Sequence, residues 1–546
     1  MIAGTHEAMS GRGMIVAPQP LAVEAGAEVL RRGGNAMDAA ITCAFVQGVL
    51  SPQMCGVGGY ALLTYHNGSE DGGQALALDA PALAGSRATA DMWQDRVIGP
   101  NPSGWGYLLR GKVNEIGYTS ICTPGAVLGY ATMLERWGSI SWEEAIAPAR
   151  ELAEGGFVVD SHLASEWCQL SHRPEATTWL DMVRANPEAS RIYLKPGGEP
   201  YAAGEHFRNP DLARTLKHLA ERGPQDFYHG ELAKRMATDL EANGSLVTAA
   251  DLEGYQLPAV EPLVGTYRGY TVATSPAPHG GPTLLAILKI LEGWDLAAMG
   301  HNSPEYIYHV AMAMKAAFAD RNPHLGDPRF VDVPVDEMIS AERAAEWRAH
   351  IEAGRPIAVS FTPAGSPSTT HVSVVDGAGN CVALTHSLGS SSGVITPGLG
   401  FMYNDSMVNF HPYPGHPNSI APGKGRTTGM SPTVVYRDGK PVLVIGAPGA
   451  TRIITSVAQV IVNVLDFGMS ISDAVLAPRF DCQGDMIRCQ ARIPEYVLAE
   501  VRRRHGVERL PQSHGGLGLV HAIAIDAAGI PSGAADTGAG GMALGV

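Results

Sequence analysis

A layered α+β architecture, with helices packed over antiparallel sheets, is what the sequence predicts, and three observations carry that expectation. Alternating, β-branched runs come in pairs across turn signals: THVSVVD (370–376) and CVALTHSL (381–388) flank GAGN, and PTVVYRDGKPVLVIGAP (432–448) folds at Asp438-Gly439. Helix-period text is grouped elsewhere, mainly between about 125 and 350. The 65 glycines and 38 prolines favour short elements joined by turns.

Taken in order, residues 20–48 form two helices separated at Gly33-Gly34-Asn35, a stop followed by a fresh start. The second, from Ala36 to Val46, is apolar nearly all round and is expected in the interior. ALLTYHNG (61–68) is a strand closed by Asn67-Gly68, although adjacent Leu62 and Leu63 interrupt its alternation. Segments 141–154 and 303–320 are helical, 353–368 (AGRPIAVSFTPAGSPS) is an exposed flexible stretch without period, 454–467 is a helix and 518–526 a strand. No repeat of fixed period is present.

The chain of 546 residues is 45% hydrophobic and 17% charged, as in a well-buried globular enzyme. A net charge of −15 without clustered Lys or Arg argues against a nucleic-acid partner. No window approaches a membrane span and the first twenty residues lack a secretory core, so no membrane partner and a cytoplasmic location are expected. The seven cysteines show no CxxC spacing, and neither disulfides nor a zinc site is suggested. APGKGRT lacks the Ser or Thr of a P-loop, GVGGY is no dinucleotide fingerprint, and His371, His386, His411 and His416 have no metal-ligand pattern; no metal and no cofactor are expected. Nothing excludes a homo-oligomer.

Thr369 stands between the flexible segment and the hairpin. A threonine hydroxyl needs a base beside it, and a threonine that becomes a chain terminus carries one, its own α-amine. Such a residue must be exposed by backbone cleavage, follow a loop that can leave and head a rigid strand. Thr369 meets the two conditions a sequence can display, although strands often begin this way.

TTHVSVVDGAGN (369–380) resembles the processing site of the γ-glutamyltranspeptidase family, whose first threonine becomes the N-terminus of a small subunit. GMIVAPQPLA (13–22), GGNAMDAAI (33–41), SPQMCGVGG (51–59), TPGAV (123–127), MSPT (430–433), GAPGATRI (446–453) and APRF (477–480) follow in family order over nearly the whole chain. The resemblance implies a four-layer αββα sandwich of the N-terminal-nucleophile hydrolase type. It implies self-cleavage between Ser368 and Thr369 into subunits 1–368 and 369–546 that remain associated. Thr369 is then the nucleophile, Ser387 the second hydroxyl that orients it, and Gly449 and Ala450 the backbone oxyanion hole. The implied substrate is a small-molecule amide.

The glutamate pocket departs from the family. Its arginine, in a D-x-R-E-x-A-P segment, falls on Ala77 or Pro81 of ALALDAPALAGSRATADM (75–92); its acidic pair becomes Ser406 and Asn409, with Asp405 adjacent. Its serine pair becomes Thr428-Gly429, and an asparagine becomes Gly389. Asn409, Thr428 and Gly429 are therefore candidate substrate contacts. An absent arginine removes two charge-assisted bonds of about 1.5–3 kcal/mol each. Between Asn409 and Met430 little chain is available for a lid. The expected enzyme acts on a non-glutamyl amide; a genuine γ-glutamyl hydrolase or transpeptidase and an unprocessed scaffold are the alternatives. Arg87, Arg110, Lys424 and Arg426 are cations near these segments, each expected as a solvated surface charge.

Overall fold

The computed structural model describes residues 8–9, 13–68, 73, 75–101, 106–169, 177–361 and 368–546. Residues 362–367 of the expected flexible stretch lie outside the described residues.

Two antiparallel sheets face each other. The six-stranded sheet runs Met542–Gly545, Met14–Ala17, Thr370–Val375, Cys381–Ser387, Tyr60–His66, Ala75–Ala80. The seven-stranded sheet runs Ala8–Met9, Pro531–Ala535, His521–Ile525, Lys440–Gly446, Thr433–Arg437, Tyr270–Thr274, Leu263–Tyr267. Three apolar layers hold them. Met14, Val16, Val375 and Ala383 meet Val434, Val444 and Ile523 between the sheets. Ile15, Leu63, Val372 and Leu384 point the other way, onto Val23, Ala27, Ile41 and Phe45 of the helices Pro20–Arg31 and Ala36–Leu50. Val435, Leu443 and Ile445 pack on the helices Gly281–Leu291, Pro304–His324 and Arg452–Leu465. The order is helix, sheet, sheet, helix, the αββα sandwich.

Double coverage explains the interrupted alternation. Tyr60–His66, Thr370–Val375 and Cys381–Ser387 are buried at every position, so Leu62 and Leu63 each meet an apolar layer. One expectation needs correction: the helix-rich region 125–350 also contains a hairpin, Leu263–Tyr267 with Tyr270–Thr274, at the edge of the seven-stranded sheet. Its register pairs Thr271 with Tyr436 on the neighbouring strand, so tertiary pairing rather than local pattern defines it. Segments on either side of Ser368 interleave in both sheets: three strands of the six-stranded sheet precede that residue and three follow it.

Two aspartates join the layers near the Thr370–Ser387 hairpin. Asn35 caps the helix Ala36–Leu50, and Asp38 in its first turn accepts from Asn35 N (2.8 Å), Ser139 N (2.7 Å), Ser139 Oγ (2.5 Å) and Ile140 N (3.2 Å). Asp376, in the hairpin turn, accepts from Ala36 N (2.8 Å), Ala378 N (2.9 Å) and Asn380 N (3.0 Å). The motifs GGNAMDAAI and VVDGAGN thus meet at the head of one helix. Replacing Asp38 leaves several N–H groups without their acceptor, each worth about 1–3 kcal/mol. Asp38→Ala is expected to lower unfolding free energy by roughly 3 kcal/mol or more, read as a lower denaturant midpoint.

Candidate functional site

Thr370 pairs with His386 across the hairpin, which brings Thr369 level with Ser387 at the strand end. Thr369 is 5% exposed and Ser387 1%; their hydroxyl oxygens are 3.0 Å apart. Both hydroxyls donate to the carbonyl of Ser368, Thr369 Oγ1 at 2.8 Å and Ser387 Oγ at 2.7 Å. The Gly389 N–H donates to Ser387 Oγ at 2.9 Å. Among the described residues the Thr369 hydroxyl touches no histidine, lysine or carboxylate.

The histidines beside it are committed elsewhere. On the helix side, His386 Nε2 donates to Gln47 Oε1 (2.8 Å), leaving Nδ1 to accept from the Tyr130 hydroxyl (2.8 Å). Gln47 in turn donates to Thr370 Oγ1 (3.0 Å) and Gln19 Oε1 (2.8 Å). Between the sheets, His371 bridges Thr385 Oγ1 (2.8 Å) and Ser373 Oγ (3.0 Å). Burial pushes His386 down to about 3 and His371 well below its ordinary value, so both rings are neutral.

Gly449 and Ala450 form the turn ahead of the helix Arg452–Leu465. Gly449 has φ 134° and a Cβ there would lie 2.8 Å from Gly518 Cα; Ala450 has φ 55°, a left-handed conformation that costs alanine about 1 kcal/mol. Neither N–H has a partner among the described residues, and both stand at the positive end of a helix dipole. A cavity of about 590 Å³ opens over Thr369, Ser368, Ser390 and Gly449. Leu21, Met54, Phe157, Trp179, Met182 and Leu517 supply its apolar walls, with Gln53, Glu166 and Arg452 among its polar groups.

The three candidate substrate contacts do not line that cavity. Thr428 is 7% exposed and its hydroxyl meets His279 Nδ1 at 2.9 Å, while His279 Nε2 meets Asp79 Oδ2 at 2.9 Å. His279 thus bridges the Thr428 hydroxyl and the Asp79 carboxyl group. Gly429 lies against the Gly449-Ala450 turn, where a Cβ would be 2.1 Å from the Ala450 carbonyl oxygen. Asn409, 1% exposed, accepts from Arg426 Nε at 3.1 Å when its amide oxygen faces the guanidinium.

Lys424 and Arg426 are corrections, for they are 4% and 6% exposed rather than solvated. Lys424 donates to the Pro417 carbonyl (2.6 Å). Arg426 stacks 4.5 Å from the Tyr60 ring centroid and donates to the Tyr60 hydroxyl and the Thr427 carbonyl. Arg87 and Arg110 are exposed, Arg87 beside Glu241 at 3.6 Å. Buried Asp405 accepts from Ser390 N (2.8 Å) through Oδ1, and burial raises its carboxyl to about 7. That Oδ1 would sit 2.0 Å from a Cβ at position 389, which explains the glycine there. Sequence reasoning missed Tyr60, Gln47 and His279; only the position of PHGG before a helix could have flagged the last.

Two helix-covered sheets with a hydroxyl residue at the head of a central strand, and backbone N–H groups at a facing helix start, make the fold that of an N-terminal-nucleophile hydrolase. The chain belongs to the Gamma-glutamyltranspeptidase family, whose model matches residues 22–546. It is 38% identical to the Acylase ACY 1 proenzyme of Pseudomonas sp. (strain V22), over 97% of this chain and 92% of that one. It is 34% identical to the Glutathione hydrolase proenzyme of Escherichia coli (strain K12), over 88% of this chain and 82% of that one. Among solved structures, cephalosporin acylase from Bacillus halodurans superposes with a TM-score of 0.86 at 26% identity, covering 99% of this chain and 97% of its own.

Two outcomes are expected from this geometry. Ala450→Gly should relieve about 1 kcal/mol of backbone strain and raise the melting temperature, whereas Gly449→Ala should cut the rate of any reaction that uses this turn by tenfold or more in a direct assay. In the second, burial holds His386 near 3 and His416 and His521 near 4, against 6.5 ordinarily. As pH falls from about 6.5 to 4 the unfolded chain takes up protons that the folded chain refuses, so stability declines through that window. Asp405, raised to about 7, and Glu115 and Glu166, also raised by burial, act in the opposite sense, but they are outweighed because burial lowers His301, His371, His411 and His514 as well. Melting temperatures at pH 7, 5.5 and 4.5 should fall in that order.

Proposed function

We propose that the chain is a precursor that cleaves itself between Ser368 and Thr369, and that the freed Thr369 then attacks a small-molecule amide whose acyl group is not γ-glutamyl. The observation that carries this reading is the Thr369 hydroxyl, 2.8 Å from the Ser368 carbonyl oxygen and 3.0 Å from Ser387, with no side-chain base among its described neighbours. An α-amine created by cleavage supplies that base. Ser387 orients the nucleophile, and the Gly449 and Ala450 N–H groups receive the oxyanion of each tetrahedral intermediate. The acyl-enzyme is then released to water or to an acceptor amine. Residues 1–368 and 369–546 stay together, because their strands interleave in both sheets.

A non-glutamyl acyl group is supported by where the cations sit. Arg426 does not line the cleft above Thr369, and its donors already serve Tyr60, Asn409 and Thr427. The Thr428 hydroxyl is engaged with His279. The cleft above Thr369 offers an apolar wall of Leu21, Phe157, Trp179 and Met182 beside its polar groups, and similarity to an acylase proenzyme and a cephalosporin acylase points the same way. A γ-glutamyl activity is the second reading, favoured by Asp405 and Arg426 as opposite charges close behind Ser387 and by similarity to glutathione hydrolase proenzymes.

On a denaturing gel the purified wild type should give two bands that co-elute under native conditions, and Thr369→Ala a single band of 57.4 kDa. Mature enzyme should turn over apolar-acyl anilides at least tenfold faster than a γ-glutamyl anilide, and the reverse ranking favours the second reading. A wild type that stays as one band, with no terminus at Thr369, overturns both.

A further inference from the structure

Glu166 lines the cleft above Thr369, yet no step derived so far uses it. It stands in the last turn of the helix Ser161–Trp167, where the helix dipole is negative and a carboxylate is unfavourable. Asp160, at the head of the same helix, lines the cleft as well. Burial first, and the Asp160 charge after it, raise the Glu166 carboxyl above its ordinary value, against the lowering by His162 and Gln53. The placement costs stability rather than adding to it.

The carboxylate is nevertheless held in one orientation. Gln53 is 4% exposed, and its Oε1 accepts from the Trp167 indole N–H (3.2 Å), which leaves its amide N–H to donate to Glu166 Oε2 (2.5 Å). The next residue, Met54, accepts from Leu388 N at 2.8 Å, directly after Ser387. The support of Glu166 is thus tied to the strand that ends beside Thr369.

An ionised carboxylate has about four acceptor positions, and the protein fills few of them here. Besides Gln53, its neighbour is the half-exposed His162 imidazole, 3.6 Å from Oε1; no lysine or arginine pairs with Glu166 among the described residues. Phe157 and Trp179 line the same cleft, and aromatic faces attract cations. An ammonium group entering there gains charge-assisted bonds to Glu166, whereas a carboxylate meets two like charges.

We propose that Glu166, held by Gln53, is a specificity-determining residue of the cleft and selects amides that carry an ammonium group on an apolar stem. The inference rests on the reading of this cleft as the amide site of Thr369. An ammonium on the acyl part and one on the leaving amine present the same chemistry to Glu166.

The test uses mature wild-type enzyme and paired amides that differ only in an ammonium against a methyl group. δ-Aminovaleryl anilide against hexanoyl anilide puts the cation on the acyl part; hexanoyl para-(aminomethyl)anilide against hexanoyl para-ethylanilide puts it on the leaving amine. In one pair the cationic member should show a kcat/KM about tenfold or more above its neutral twin, and that pair locates the cation. Adipoyl anilide, with a carboxylate at the same place, should be handled worse than hexanoyl anilide. Glu166→Gln keeps an acceptor for Gln53 and removes only the charge. Per mole of processed enzyme it should erase the difference between the twins, through a higher KM for the cationic one. The proposal is overturned if neither cationic amide is preferred, or if Glu166→Gln keeps the preference or slows both twins by the same factor. The wild-type comparison needs no variant and stands even if Glu166→Gln fails to fold. A wild type that cleaves neutral amides without regard to charge overturns this inference alone, whereas one that cleaves no amide removes the proposed function and the inference with it.

Discussion

The register of one antiparallel pair governs the site. With Thr370 opposite His386, the residue before the strand and the residue ending its partner come level, and two hydroxyls converge on one carbonyl. A slip of one residue would send Ser387 to the opposite face and exchange the apolar sets on both sides of the sheet. Because both faces are packed, Val372 and Val374 against helices and Val375 against the second sheet, such a slip is strongly opposed. The geometry around Thr369 and the packing of the core are thus one constraint.

Such coverage obliges the buried polar groups to satisfy one another. Around the hairpin they do so in directed strings: Tyr130, His386, Gln47 and Thr370 on the helix side, and Thr385, His371 and Ser373 between the sheets. Each string fixes a neutral imidazole away from the Thr369 hydroxyl, in line with the proposal that an α-amine serves as its base. The Asp38 and Asp376 carboxylates do comparable work at the far end of the hairpin, tying its turn and the 139–140 loop to one helix start.

The departures from the family pattern form a connected set. Asp405 fills the space that a side chain at position 389 would need, Gly429 lets the chain pass under the Ala450 carbonyl, and Arg426 enters from a loop that sequence pattern alone places on the surface. Burying two cations, Lys424 and Arg426, in a chain of net charge −15 requires carbonyls, an amide and an aromatic ring as partners, and the structure supplies all three. Here the cleft above Thr369 combines apolar walls with polar groups such as Gln53, Glu166 and Arg452, while Arg426 and Asp405 are engaged by protein groups.

Local chemistry made much of the molecule legible. Turn residues and β-branched runs predict the hairpins at 370–388 and 432–448, the two helices within 20–48 show the break at Gly33-Gly34-Asn35, and the family blocks identify Thr369, Ser387, Gly449 and Ala450 as candidates. Those features depend on neighbours within a few positions, so the sequence by itself determines them. Only the tertiary structure decided that the Leu263–Thr274 hairpin joins a sheet edge, that Thr428 answers to His279 and Asp79, and that Arg426 stacks on Tyr60, 366 positions away. Such partners are chosen by which surfaces the layers bring together, and burial, unlike turn formation, is a property of the whole packed chain.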